Sequence, residues 1–399
     1  MMVRRRRPNK TAKKRKSAFP LWIAIVIVIA VGAVLIIFGN RKKHPKANEK
    51  NIKSAEIVDS SSIDFITRID GAIMQAACDL GVSDDNLRWK RNKEIEQFPN
   101  TKFSNITMTV NSAFPMAHIN YVLQHTIVDS GGRIMDAFDK KSGTELTIKV
   151  GYGGISTHQI KIRRRNSATI EPAYVALLID DFGYYPVPIA KKFFELGIKF
   201  DASILPQGEY TQYILRELKN YDKIERMVHI PMEPKNYPKV DPGGGAIFVS
   251  MTDHEILRQA EKDISAIPGA VGANNHMGSR ATENKRVMYQ VLRAVRDAGL
   301  FWVDSRTTPY SVSEEVAITM KIPAVHIDHI IDPPIISADE IEQRLYRYCL
   351  DARRMPAMII NCHSSDTTYQ ILKKNLPTLK KYGIEFITVS EAIAKKSTK

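Results

Sequence analysis

From about residue 170 onward, short apolar runs alternate with stretches of helical period, and four of the runs end in polar, metal-capable residues. They read VALLIDDFG (Val175 to Gly183), MVHIPMEP (Met227 to Pro234), VGANNHMGSR (Val271 to Arg280) and AMIINCHSSD (Ala357 to Asp366). Further strand-like runs are Ala202 to Leu205, Leu300 to Val303, Ala324 to Ile327 and Glu385 to Val389. Between them, Thr252-x-x-Glu255 and Ser337-x-x-Glu340 have the form of capping boxes that open helices. Gly197, Gly299 and Gly383 stand where helices close. Repeated strand–helix alternation predicts an α/β fold with a parallel sheet, and over 170–394 a distorted, closed or nearly closed (β/α) barrel. Catalytic groups of such barrels sit at the C-terminal ends of the strands, where these polar clusters fall.

The N-terminal part has a different pattern. Ile63 to Leu80 has helical spacing and stops at Gly81; Phe103 to Val110 alternates as a strand; Ala113 to Ser130 reads as a helix ended by Gly131-Gly132. Leu146 to Tyr152 and His158 to Ile162 read as a hairpin around Gly153-Gly154. Residues 61–165 are therefore expected to form a small α+β domain, and no residue pattern in it carries chemistry. Residues 39–60 are polar and lysine-rich, a linker. Residues 19–38 form an unbroken, uncharged apolar run, close to the ~20 residues that cross a bilayer as a helix. A cleaved signal peptide has a shorter apolar core and a small-residue exit, so an uncleaved transmembrane anchor is expected. The basic tail 1–18 outweighs the bases after the run, which puts the N-terminus in the cytoplasm and the body outside, on the inner (cytoplasmic) membrane.

Charge then changes one inference. The net charge of +15 suggests nucleic acid, but residues 1–50 hold 14 Lys+Arg against one acid, Glu49. The rest of the chain carries 44 basic and 42 acidic residues. The excess belongs to the tail, so no nucleic-acid partner is expected. Cys78, Cys349 and Cys362 show no C-x-x-C spacing and imply no thiolate metal site. The chain has no nucleophile elbow, P-loop or dinucleotide fingerprint, and Gly243-Gly244-Gly245 precedes no phosphate-binding helix and reads as a flexible loop.

What remains points to a metal hydrolase. Asp180-Asp181 places adjacent carboxylates at a strand tip, which repel unless a cation or donor compensates them. One can bind a metal while the other acts as base. His229 ends its strand, with Glu233 four residues on to orient it, coordinate beside it or cap a loop. His276 stands among Asn274, Asn275, Gly278, Ser279 and Arg280, a poor core and a good polar pocket. His363 can protonate a leaving group if a carboxylate raises its basicity. Asp304 and Arg306 are candidates for that supporting role or for substrate contact, Glu233, Asn275 and Arg280 for supporting the ligands or contacting substrate, and His326, Asp328, His329 and Asp332 form another rim cluster of supporting or structural character. One Asp and two His leave a coordination position open for water, as in catalytic rather than structural zinc sites.

These clusters, in this order, resemble the divergent polysaccharide deacetylase family, a branch of the carbohydrate esterases with the NodB-homology fold. The resemblance covers about residues 172–392 and is carried by Ile179-Asp180-Asp181-Phe182-Gly183, His229-Ile-Pro-Met-Glu-Pro234 and Asn274-Asn275-His276-Met277-Gly278-Ser279-Arg280. It implies a distorted barrel of the glycoside hydrolase/deacetylase type and a mononuclear, usually zinc-type, de-N-acetylation site. By it, Asp180 looks like the catalytic base, Asp181 and His229 like metal ligands, and His363 like the leaving-group acid. Where the fold usually has its second histidine this chain has Glu233, so His276 is expected to supply that ligand from the next strand. The expected function is a membrane-anchored divalent-metal hydrolase acting on N-acetylated envelope glycan. A non-catalytic glycan-binding scaffold on the same fold, and O-deacetylation or amide cleavage in peptidoglycan, are the alternatives.

Overall fold

The computed structural model describes residues 57–140 and 143–398. The basic tail, the apolar run 19–38 and the linker up to residue 56 lie outside the described residues. Among the described residues no helix is long and apolar enough to cross a membrane.

Two helices, α1 (Ile57–Asp79) and α2 (Met116–Asp129), pack on a five-stranded sheet of β1 (Leu87–Ile95), β2 (Phe98–Asn111), β3 (Arg133–Lys140), β4 (Glu145–Tyr152) and β5 (Ile155–Arg165). The strand order is β1-β2-β5-β4-β3. Ile69, Ile73, Leu123 and Ile127 from the helices meet Ile106, Met108, Ile148 and Ile160 from the sheet in one core. β1 and β3 are not evident from period-2 patterning. They are the two edges, LRWKRNKEI and RIMDAFDK, whose charges discourage further pairing.

A second, parallel sheet follows. Its strands are β6 (Ala173–Phe182), β7 (Phe200–Ile204), β8 (Ile224–Met232), β9 (Ala270–Met277), β10 (Phe301–Asp304), β11 (Ala324–His326), β12 (His329–Ile330), β13 (Met358–His363) and β14 (Ile384–Ile387). The path runs β11-β10-β9-β8-β7-β6-β13-β12, with β14 beside β6. The result is an α/β fold with a curled parallel sheet, a half-barrel. The sequence predicted a distorted, closed or nearly closed barrel; β11 and β12, joined by a short connection, lie at opposite ends of the path. β6 shows how the curl is distorted. β14 pairs with Ala173 to Ala176 and β7 with Leu178 to Phe182, so two strands share one edge of β6 while β13 takes the other.

The helices outside this sheet are α3 (Val187–Phe194), α4 (Thr211–Glu217), α5 (Asp253–Ser265), α6 (Lys285–Asp297), α7 (Ser313–Thr319), α8 (Ala338–Asp351), α9 (Asp366–Lys381) and α10 (Val389–Ser397). Thr252 and Glu255 form a reciprocal capping box on α5, and the Ser337 side chain accepts from the Glu340 N–H on α8. Alternation along each strand then divides the side chains. Val175, Leu177 and Ile179 pack outward toward the helices. Ala176 and Leu178 point inward with Met227, Val303 and Ile359, where Val389 and Ala392 of α10 close the bottom. Continuing the inward period leads to Asp180, His229 and His363 at the C-terminal rim. The two sheets belong to one compact body; Phe114 stacks on Tyr382 with centroids 4.5 Å apart, and Arg354 pairs with Asp79 at 2.8 Å.

Candidate active site

Two adjacent residues of a regular strand point to opposite faces, so Asp180 and Asp181 need a local exception to share one. A β-bulge supplies it. Ile179 pairs with Ala202 and Phe182 with Ile204, so β6 spends one residue more than β7 over this interval. Asp181 takes a φ of +66° within it, a conformation that costs a non-glycine residue about 1–3 kcal/mol. Gly183 follows at φ +97°, where a Cβ would meet Thr211 Oγ1 at 2.5 Å. Both carboxylates thereby reach the rim.

There Asp181 Oδ1 lies 3.3 Å from His229 Nε2 and 3.1 Å from His276 Nδ1, and the two ring nitrogens are 3.1 Å apart. His229 and His276 stand on neighbouring strands, opposite Asn274 and Pro231 in register. Asn274, fully buried, organises the group. Its Nδ2 donates to Asp180 Oδ1 (3.1 Å) and Ser305 Oγ (3.2 Å). Its Oδ1 accepts from Ser203 Oγ (2.5 Å) and faces His229 Nδ1 at 3.0 Å. With the amide orientation set by Asp180, His229 must donate from Nδ1, which turns the Nε2 position toward Asp181 and His276.

Three electron-rich atoms thus crowd together. Asp181 Oδ1 is buried without a hydrogen-bond partner of sound geometry. Burial alone would raise its pKa, but His229 and His276 hold it well below the usual carboxylate range. For His229, burial works against the charged ring, and Asp180 and Asp181 outweigh it, so its pKa is raised. The field at this point calls for a cation. Among the described residues, Asp181, His229 and His276 are the one set of such side chains able to share a metal ion. Their separations of 3.1 to 3.3 Å approach the ligand–ligand spacing of about 3.3 Å for tetrahedral bonds of ~2.0–2.1 Å, and two imidazoles with one carboxylate suit zinc.

The other predicted residues divide clearly. His363, at the end of β13, lies opposite Asp180 in register. Its Nδ1 meets Asp332 Oδ1 at 2.9 Å, and its backbone N–H donates to Asp332 Oδ2. Burial opposes protonation of this ring, but Asp332, then Asp180 and Asp181, push its pKa up to about 9. The supporting carboxylate is Asp332, not Asp304. Asp304 is buried and accepts from the Arg306 N–H, while the Arg306 guanidinium turns to Glu314 at 3.2 Å. Glu233 joins no metal cluster: it accepts from Arg280 Nη1 (2.8 Å) and the Val249 N–H (2.7 Å). Asn275 ties Ser305 N–H to the Met277 carbonyl. Its neighbour Asn274, one residue away and on the same face as His276, is the one that touches the site.

Several residues the sequence did not single out line a cleft of about 680 Å³ that opens beside Asp181 and His276. Tyr184, Tyr185 and Tyr210 make an aromatic wall. Gly243 and Gly244, of the Gly243-Gly244-Gly245 segment read from sequence as a flexible loop, form another wall; Gly245 behind them packs on Gln207, where a Cβ would lie 2.3 Å from Nε2.

Residues 177–393 match the sequence model described as divergent polysaccharide deacetylase. That span is more than half of the chain. The protein belongs to the divergent polysaccharide deacetylase family. Among curated relatives, an uncharacterised protein of Haemophilus influenzae is 27% identical over 206 residues, 51% of this chain and 71% of its own length. The uncharacterised protein YibQ of Escherichia coli is 26% identical over 214 residues, 53% of this chain and 66% of its own length. Among solved structures, uncharacterised protein ATU2773 from Agrobacterium tumefaciens superposes with a TM-score of 0.52 at 20% identity, over 55% of this chain and 89% of that one. This last likeness concerns the fold.

Proposed function

We propose that this divergent deacetylase is a membrane-anchored, metal-dependent hydrolase that removes acetyl groups from N-acetylated polysaccharide of the cell envelope. The observation that carries the reading is the convergence of Asp181, His229 and His276 at 3.1 to 3.3 Å, with Asp180 beside them and His363 across from it on the next strand. A divalent ion, zinc by the donor set, would supply a water of lowered pKa and polarise the scissile carbonyl. Asp180 keeps Oδ1 on Asn274, and Oδ2 is left to take a proton from the attacking water. His363 donates from Nδ1 to Asp332 and is protonated at neutral pH, so its Nε2 proton is available to the departing amine. The tyrosine wall would hold the sugar ring. The anchor rests on the uncharged run 19–38 behind a basic tail, with the body outside the cytoplasm.

Acetate release tests the reaction. The full-length chain in detergent, loaded with zinc and given chitooligosaccharides or peptidoglycan fragments, should release acetate. Asp180→Asn should abolish release while leaving zinc bound. Zinc and glycan binding without acetate release would make the chain a scaffold on a deacetylase fold. Products that lose O-linked acetyl or peptide groups instead would reassign the reaction.

A further inference from the structure

The cleft beside the candidate active site has a sign. Apart from Asp181, which belongs to the metal centre, Glu209 and Asp241 line it, and no lysine or arginine does. Among the described residues neither Glu209 nor Asp241 forms an ion pair with a basic side chain. The rest of the body is nearly balanced in charge, so the negative field here is local. The same cleft carries Tyr184, Tyr185 and Tyr210. Tyr184 is 66% exposed, and its ring meets Tyr185 edge-on with centroids 5.1 Å apart. Tyr185 stays a neutral hydrogen-bond donor, because burial first and Asp181 second raise its pKa.

Carboxylates beside open aromatic faces recognise ammonium groups: the ring faces attract the cation and the carboxylates take its N–H donors. The same lining repels a polyanion. On a glycan, the ammonium-bearing unit is an amino sugar whose acetyl group is already gone. Resting on the function proposed above, we propose that the preferred ligand is a partly de-N-acetylated glycan, in which free amino sugars sit against Glu209 and Asp241. Fully acetylated chains then bind more weakly, and uronic-acid chains are excluded. Each turnover converts a neutral acetamide to an amine plus acetate, so the product strengthens the hold of the chain on the cleft.

Calorimetric titration of the full-length, zinc-loaded Asp180→Asn chain in detergent tests this without turnover and with Asp181 engaged as in the working site. The probes are a glucosamine oligomer, an N-acetylglucosamine oligomer and a galacturonate oligomer of equal length. The glucosamine oligomer should bind roughly tenfold tighter than the acetylated one, and the gap should narrow as salt rises. The galacturonate oligomer should bind weakest. In the Glu209→Gln/Asp241→Asn variant, the ratio of amino to acetyl affinity should fall toward one, with thermal melting used to confirm that the variant is folded. A galacturonate oligomer that binds as well as the glucosamine oligomer overturns the proposal, as does a ratio unchanged in the variant. Acetate release is scored separately. A chain that releases no acetate yet prefers the amino oligomer keeps this inference and loses the proposed reaction. One that deacetylates without that preference does the reverse.

Discussion

Asn274 Oδ1 lies 3.0 Å from His229 Nδ1, and the two residues are partners in register on adjacent strands. This contact selects the ring tautomer, and the same amide holds Asp180 through its other end. A metal-ligating histidine whose far nitrogen is engaged in this way loses about 10–100-fold in metal affinity when the partner is removed. Asn274→Leu should therefore weaken zinc binding by that factor, measured by competition with a chelator. It also strands the buried Ser203 hydroxyl, at about 1–3 kcal/mol, which chemical denaturation of the metal-free chain should register.

Loss of a ligand itself should be harsher. His276→Ala removes one of the three converging atoms, and Asp181→Asn removes the negative charge that both rings face. Elemental analysis should find about one zinc per native full-length chain and well under a tenth of that in either variant after dialysis. Asn, like Asp, tolerates the left-handed φ of +66° at this position, so the backbone is kept, and any fall in metal-free stability reports the lost charge that His229 and His276 face. Retained zinc in both variants would sink the proposed centre.

Much of this site can be read from the chain because a strand's period of two is rigid. Once Ala176 and Leu178 face inward, Asp180 must follow, and Asn274 and His276 must share a face. That rule also favours Asn274 over Asn275, which the residue pattern alone presents as a pair. The bulge at Asp180-Asp181 breaks the period, and no local residue pattern announces it. His363 illustrates a different limit. Its partner Asp332 lies in the connection after β12, and only the folded chain distinguishes that carboxylate from Asp304. The tyrosine wall is illegible for a related reason, since aromatic residues in strand–helix loops follow no period. Barrel closure does not follow from alternation, which predicts parallel strands and says nothing of whether the end strands of the path, β11 and β12, pair with each other.

His363 gives a pH dependence with a definite sign. Its pKa in the folded chain is about 9, above the unfolded value of about 6.5. The folded ring holds its proton more tightly, so the pair with Asp332 stabilises fully below about pH 6.5. That contribution disappears as pH rises through about 9. Asp332→Asn should lower the melting temperature of the metal-free protein most near pH 6, and the difference from wild type should shrink by pH 10. A difference independent of pH would mean that Asp332 acts only through its bonds to the His363 N–H and the Thr368 hydroxyl.

Asp263 works in the opposite sense. It is fully buried on α5, with Oδ1 accepting from Gln259 Nε2 at 2.8 Å and Oδ2 lacking a partner. Burial lifts its pKa to about 7, against the weaker pull of Gln259, Gln207 and Lys262. A carboxyl that is a stronger base when folded favours the native state while protonated. Stability therefore falls as pH rises from about 4, the unfolded carboxyl value, to about 7. An amide in its place keeps the hydrogen-bonding shape and never ionises. Asp263→Asn should match wild type near pH 4 and exceed it above pH 7 by on the order of 2–4 kcal/mol, since each tenfold change in proton affinity is worth about 1.4 kcal/mol. Urea denaturation of the metal-free chain at the two pH values reads this directly. Equal stability at both would place the Asp263 carboxylate in water, contrary to its burial among α5 and the strands beneath.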